Sequence, residues 1–215
     1  MPTQGYELYA IKYGHHERRA GENFLGGDPH DGPMPLDYFV WLARSAERSF
    51  VIDTGFDAAV AKRRRRQLIR TPAEGLRLLG VDAGEVGDVV ITHLHYDHVG
   101  NFTLFPKARF HLQDKEMEFA TGRHMRHPVF AGAYEAEEVV GMVREVFKGR
   151  VEFHDGDAEL APGLSVHYIG GHTAGLQAVR VMTRGAPSSS PPMPAIFTPT
   201  WSREGRSPSS MTSAK

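Results

Sequence analysis

The sequence predicts an α/β protein, a sheet covered by helices on its outer face, that ends in a segment of different character. Three observations predict it. Short runs rich in aromatic and β-branched residues are interspersed with helical runs up to about residue 185. With 215 residues, 40% of them hydrophobic, and a mean hydropathy of -0.37, the chain can bury one sizeable core and has little room for a second. From residue 186 onward all periodicity stops.

Taken in order, residues 6–13 (YELYAIKY) and 37–43 (DYFVWLA) read as strands, with SFVIDTG as a third. Between the first two lies a long loop rich in Gly, Pro and His, and a loop of that length in a compact domain is usually functional or mobile. Residues 57–70 and 71–79 read as helices, and GDVVIT as a short buried strand. Then come ARFHLQ as strand, DKEMEFA as helix, AEEVVGMVREVF as an amphipathic helix, and VEFHDGDAEL and GLSVHYIGG as strands.

Composition narrows the function classes. The formal net charge of -1 gives no global pull toward nucleic acid or anionic membrane. There is no Cys, so any metal must be held by His, Asp or Glu, which suits zinc or another borderline divalent ion. The start of the chain lacks the basic-then-apolar pattern of a secretory signal, and no run approaches the ~18 apolar residues of a membrane span. A cytoplasmic protein without membrane or nucleic-acid partners is expected.

The chemistry concentrates in HLHYDH, directly after the GDVVIT strand. His93, His95, Asp97 and His98 fall within six positions, so a loop leaving a strand end can aim them at a common point. Four ionisable groups are costly to cluster unless they share a task. Asp53, ending a strand as IDTG, reads as an orienter of that loop rather than a surface acid.

The HxHxDH motif after VVIT resembles the signature of the metallo-β-lactamase fold superfamily, and the resemblance continues through VIDTG (residues 51–55) and GGHTAG (residues 170–175), over roughly residues 6–184. In that family GGHTAG carries the next ligand, here His172, with Gly170 where Pro is common. The resemblance implies an αββα sandwich with a metal-lined cleft between its sheets. His93, His95 and His172 would hold a first zinc, and Asp97 and His98 would belong to a second. Metal coordination lowers the pKa of water toward about 7, and Asp97 would pass the proton to the leaving group. Within the superfamily, THLHYDHVGNF, FHLQDKEMEFA and GLSVHYIGGHTAGLQAV are most similar to the N-acyl homoserine lactonases, which implies ring opening of a small-molecule lactone by metal-bound hydroxide. A glyoxalase II-like ester or thioester hydrolase and a non-catalytic zinc-binding remnant are the alternatives. An apolar channel for an acyl chain would draw on Phe24, Leu25, Met34 and Phe102, although each is more simply ordinary packing.

Other features take plainer readings. The basic stretch KRRRRQLIR, Lys62 to Arg70, reads as a solvated helix face rather than a contact for nucleic acid or phosphate. His15, His16 and His30 lie in or near the long loop and are weaker candidates for the cleft, and His111, His154 and His167 read as packing or exposed strand residues.

The family's second metal needs an Asp and a further His after His172, and residues 176–215 contain no His and, of acidic residues, only Glu204. Residues 186–215 instead hold six Pro and eight Ser. Back-translated and read one nucleotide out of frame, this stretch can spell a strand, a Ser-Asp-Ala segment and the start of a helix. The expectation is therefore a metallo-β-lactamase-like domain over residues 1–185, incomplete at its C-terminal side, with a frame-shifted or disordered tail over 186–215. Intact family sites hold two zinc ions; one is expected here, with impaired activity.

Overall fold

Two β-sheets lie face to face, with helices packed on the outer side of the larger one. The computed structural model describes residues 5–23, 29–184 and 194–197. In chain order the elements are β1 (Glu7–His16), β2 (Leu36–Arg44), β3 (Ser49–Ile52), α1 (Ala58–Arg64), β4 (Gln67–Leu68), α2 (Pro72–Leu78), β5 (Asp88–Val90), α3 (Tyr96–Val99), β6 (Arg109–Gln113), α4 (Asp114–Thr121), α5 (Pro128–Ala131), α6 (Ala136–Phe147), β7 (Val151–His154), β8 (Ala158–Ala161), β9 (Leu164–Tyr168), β10 (Gln177–Met182) and β11 (Pro194–Phe197). Among the described residues the larger sheet runs β4-β1-β2-β3-β5-β6-β7 and the smaller β11-β10-β9-β8. In the larger sheet β3, β5, β6 and β7 are parallel neighbours, while β1, β2 and β4 are antiparallel additions.

Strand alternation explains why the central strands are apolar on both faces. Val51 and Val89 enter the core beneath the helices, with Val40, Leu42, Phe110 and Met142. Phe50, Ile52 and Val90 point the other way, onto Leu164, Val166, Val179 and Val181 of the smaller sheet. Contacts of α1, α2, α4 and α6 fall on β4, β1, β6 and β7. The described residues thus form helix, sheet and sheet, three layers of the sandwich. No helix among them is long and apolar enough to cross a membrane.

Several expectations need correction. The 57–70 helix stops at Arg65, whose backbone turns left-handed (φ 55°), and Gln67–Leu68 pair with Gly14 and His15 of β1. Three arginines of the basic run are not simply solvated. Arg63 and Arg64 both bond Glu135, and Arg66 donates to the Tyr96 hydroxyl and contacts His16. VEFHDGDAEL is not one strand: β7 lies in the larger sheet, β8 in the smaller, and Gly156 (φ 106°) turns the chain between them. HLHYDH is not wholly loop, because Asp97 and His98 lie on α3. Phe102 sits in the main core against Gly141, in keeping with its plainer reading as ordinary packing. Phe24, Leu25 and most of 186–215 lie outside the described residues; within the latter, 194–197 pair antiparallel with β10.

α6 carries two buried acids: Glu145, which accepts from Lys148 and Arg150, and Glu138, 8% exposed, whose Oε2 has no partner among the described residues. Burial, reinforced by Glu135 and Asp57, pushes its carboxyl up to about 8. An unfolded Glu ionises near about 4.3, so between there and about pH 8 the unfolded chain has lost a proton that the folded chain keeps. This group's contribution therefore declines as pH rises through that window. Glu138→Gln is expected to flatten the decline, seen as a smaller drop in thermal midpoint from about pH 5 to about pH 8.5. Parallel profiles for the two proteins would count against it.

Candidate metal centre

The site is built where strands of the larger sheet end, the usual place for a crevice in a sheet of this kind. After β5, Thr92 and His93 leave the sheet, and His95 sits at the start of α3. His172 comes from the β9–β10 turn of the smaller sheet. The side-chain nitrogens of His93, His95 and His172 all lie within 4.8 Å of one another. Their rings meet edge-on, with centroids 4.5 Å apart for His93–His95, 4.7 Å for His95–His172 and 5.0 Å for His93–His172. Among the described residues this is the group of ionisable side chains placed to hold a metal ion.

The fit to a divalent cation can be tested on these residues. His93 is fully buried and its Nε2 has no hydrogen-bond partner among the described residues, a costly arrangement without a ligand. Two nitrogens on one zinc, each at about 2.1 Å, can be at most about 4.2 Å apart, so closing the group needs side-chain movements under about 1 Å. Burial holds all three imidazoles below their ordinary pKa, His95 at about 3, and neighbouring imidazoles push the same way, His98 on His93 and His172, and His172 on His95. They are therefore neutral at neutral pH, the form that coordinates metal. The donor set fits.

Asp97 and His98 stand beside this group but are engaged with each other. His98 Nδ1 lies 2.7 Å from Asp53 Oδ2 and its Nε2 lies 3.5 Å from Asp97 Oδ2. Burial alone would lower His98, yet the two carboxylates outweigh it and raise its pKa; the same contact lowers that of Asp97 against its own burial. Asp53 adopts a left-handed backbone (φ 61°) and also accepts from the Thr92 backbone N–H and hydroxyl. The adjoining Thr54 donates through both its N–H and its hydroxyl to the His98 carbonyl. The end of β3 thus fastens both sides of the HLHYDH segment.

Sequence reasoning missed Glu116, on α4. Its carboxylate is completely buried and accepts from Leu94 N–H (2.9 Å), Tyr134 hydroxyl (3.1 Å), Thr173 hydroxyl (2.5 Å) and Gly175 N–H (3.0 Å). Leu94 lies between His93 and His95, and Thr173 follows His172, so one carboxylate ties together both segments that carry the triad. Burial raises its pKa against the pull of these four donors. Tyr134 also packs edge-on against the His95 ring at 4.6 Å. A Cβ at Gly175 would lie 2.1 Å from the Glu116 nitrogen, so no larger residue fits that approach. Gln177 was missed as well: its side chain donates to the Ile91 and His111 carbonyls and joins the two sheets beside the site.

The remaining histidines named from the sequence lie elsewhere. His15 bonds Asp37 and Glu17, His16 contacts Arg66, and His111 lies between His154 and Asp88. His30 is not part of the converging group, and His167 bonds Ser165 and Asp157. Met34 is half-buried in the long loop.

Comparison with known proteins gives a consistent family. The model of the metallo-beta-lactamase superfamily matches residues 34–185. The N-acyl homoserine lactonase AiiB of Agrobacterium fabrum (strain C58 / ATCC 33970) is 32% identical over 120 residues, which cover 53% of this chain and 42% of that protein. The matched part thus spans about two fifths of that relative's length. Among solved structures, a quorum-quenching N-acyl homoserine lactone lactonase superposes with a TM-score of 0.68 at 21% identity, covering 85% of this chain and 71% of the other. A probable metal-dependent hydrolase from Staphylococcus aureus superposes with a TM-score of 0.67 at 15% identity, covering 91% and 73%. AidC, a dizinc quorum-quenching lactonase, gives 0.61 at 17% identity, covering 84% and 71%. At these identities the structural likeness concerns the fold.

Proposed function

Because the chain belongs to the metallo-β-lactamase superfamily, we propose that it is a metal-dependent hydrolase of lactones, with His93, His95 and His172 holding one divalent cation, zinc by the character of its ligands. The observation that carries this reading is the convergence of three neutral imidazoles, one of them with an orphaned buried nitrogen. A bound cation would supply Lewis acidity and a lowered water pKa. The chain's own residues do the rest. Asp97, about a fifth exposed beside the triad, is held ionised by His98, so it accepts a proton and returns it to the alcohol released on ring opening. Asp53 orients His98, the Tyr13 hydroxyl donates to the Asp97 carbonyl, and Glu116 fixes the spacing of the ligand segments.

The lactone class rests on the likeness to the Agrobacterium lactonase. A second reading, a zinc-binding protein with little turnover, draws on the lack of any His and of any acid but Glu204 in residues 176–215. A single ion positions the nucleophile less well than a pair, so slow hydrolysis is expected. A panel of N-acyl homoserine lactone, thioester and β-lactam at equal metal loading tests this. The proposal expects slow lactone opening that exceeds the other two and disappears with a chelator. Preferred thioester turnover would favour a glyoxalase II-like hydrolase, no turnover the binding role, and turnover matching a full-length lactonase would overturn the single-ion reading.

A further inference from the structure

On the outer face of the smaller sheet, away from the histidine triad, three side chains are linked in series. Ser165 Oγ lies 2.9 Å from His167 Nε2, and His167 Nδ1 lies 2.8 Å from Asp157 Oδ2. Ser165 and His167 are two residues apart on β9 and therefore share a face, while Leu164 and Val166 between and before them are buried against the larger sheet. Asp157 is itself fixed, because its Oδ1 accepts from the Tyr168 N–H at 3.0 Å. The carboxylate can only accept, so His167 carries its proton on Nδ1 and leaves Nε2 to accept from the serine hydroxyl. A nucleophile hydrogen-bonded to a base that a third group orients is the arrangement that activates a hydroxyl.

The surroundings suit a small substrate. Asp157, Ser165 and His167 border a surface depression of about 450 Å³, whose lining also includes Leu164, Met182 and Arg180. Arg180 is the direct cross-strand partner of Ser165 on β10, and Glu159 is its partner on β8. The guanidinium places a fixed positive charge beside the serine, where charge would develop on an attacked carbonyl oxygen.

We propose that Asp157, His167 and Ser165 form a second nucleophilic site, independent of metal, at which the Ser165 hydroxyl takes the acyl group of small carboxylic esters. Ser165 Oγ bonds to the acyl carbon as the bond to the ester's leaving oxygen breaks. The serine proton passes to His167 Nε2 and from there to the departing alcohol. Water then attacks the acyl-serine with His167 as base, releasing the carboxylic acid and restoring the hydroxyl.

The test uses the whole chain, treated with a chelator and given p-nitrophenyl acetate. A burst of p-nitrophenolate is expected, with an acetyl group located on Ser165 by peptide mass spectrometry. Ser165→Ala should abolish both, and His167→Gln should slow the burst by about 100-fold or more. Should a variant fold poorly, labelling of the unaltered chain with an organic fluorophosphonate gives the same answer: the adduct belongs on Ser165. No adduct, an adduct on another residue, a burst that survives in folded Ser165→Ala, or a burst lost on chelation would each overturn the proposal.

Discussion

Replacing His95 by alanine is expected to strip the chain of most of its bound metal. His95 supplies one of three imidazoles, is 8% exposed, and is held neutral by its burial, so it meets a cation without first losing a proton. Outer partners of metal ligands typically contribute 10–100-fold to affinity, so loss of a ligand itself should exceed about 100-fold. The substitution also leaves a small gap beside Tyr134, which packs on the His95 ring. The metal-free variant should therefore melt slightly below the metal-free parent, while zinc retained after gel filtration falls steeply. Unchanged retention would sink the assignment of His95.

Glu116→Ala is expected to have the second large effect. It would leave the donors of Leu94, Tyr134, Thr173 and Gly175 buried without their acceptor. Each buried unsatisfied donor costs about 1–3 kcal/mol, and water entering the gap recovers part of this, so a loss of about 3 kcal/mol or more in unfolding free energy is expected. Glu116→Gln is the sharper probe, because it nearly preserves volume but turns one acceptor into a donor facing other donors. If Glu116 positions the ligand segments, Glu116→Gln should lower zinc affinity by about tenfold or more beyond its effect on the metal-free melting midpoint. Equal zinc affinity in a folded Glu116→Gln protein would reduce Glu116 to a purely stabilising role.

The parts of the site legible in the sequence are those whose residues are contiguous. His93, His95, Asp97 and His98 announce themselves because one strand end delivers all four, and Asp53 was legible as the polar residue closing an apolar strand. His172 was placed through the likeness of GGHTAG to a known segment, since nothing in spacing alone brings a residue of the smaller sheet against β5. Glu116 was not legible: DKEMEFA reads as a helix with exposed acids, and only the folding of two distant segments over α4 buries its carboxylate. The amphipathic run of α6 had its 3.6-residue period and was read with its observed bounds. By contrast, the end of α1 within a run of arginines carried no stop signal, because arginine is a good helix former and pairing with β1 decided the outcome. The division of VEFHDGDAEL between two sheets was equally silent, since a period of two says which face a residue takes and not which sheet its strand joins.

Zinc titration of the metal-free chain, followed by native mass spectrometry and by carbethoxylation of histidines, tests the central claim most directly. The exposed His172 makes the footprint informative, because it is open to reagent unless a ligand covers its nitrogen. The account predicts about one tightly held zinc per chain, with His172 protected in step with its binding and His124 and His127 modified as before. A chain that takes up no zinc, or that takes it up while His172 stays as reactive as in the metal-free protein, would contradict a metal centre built from His93, His95 and His172.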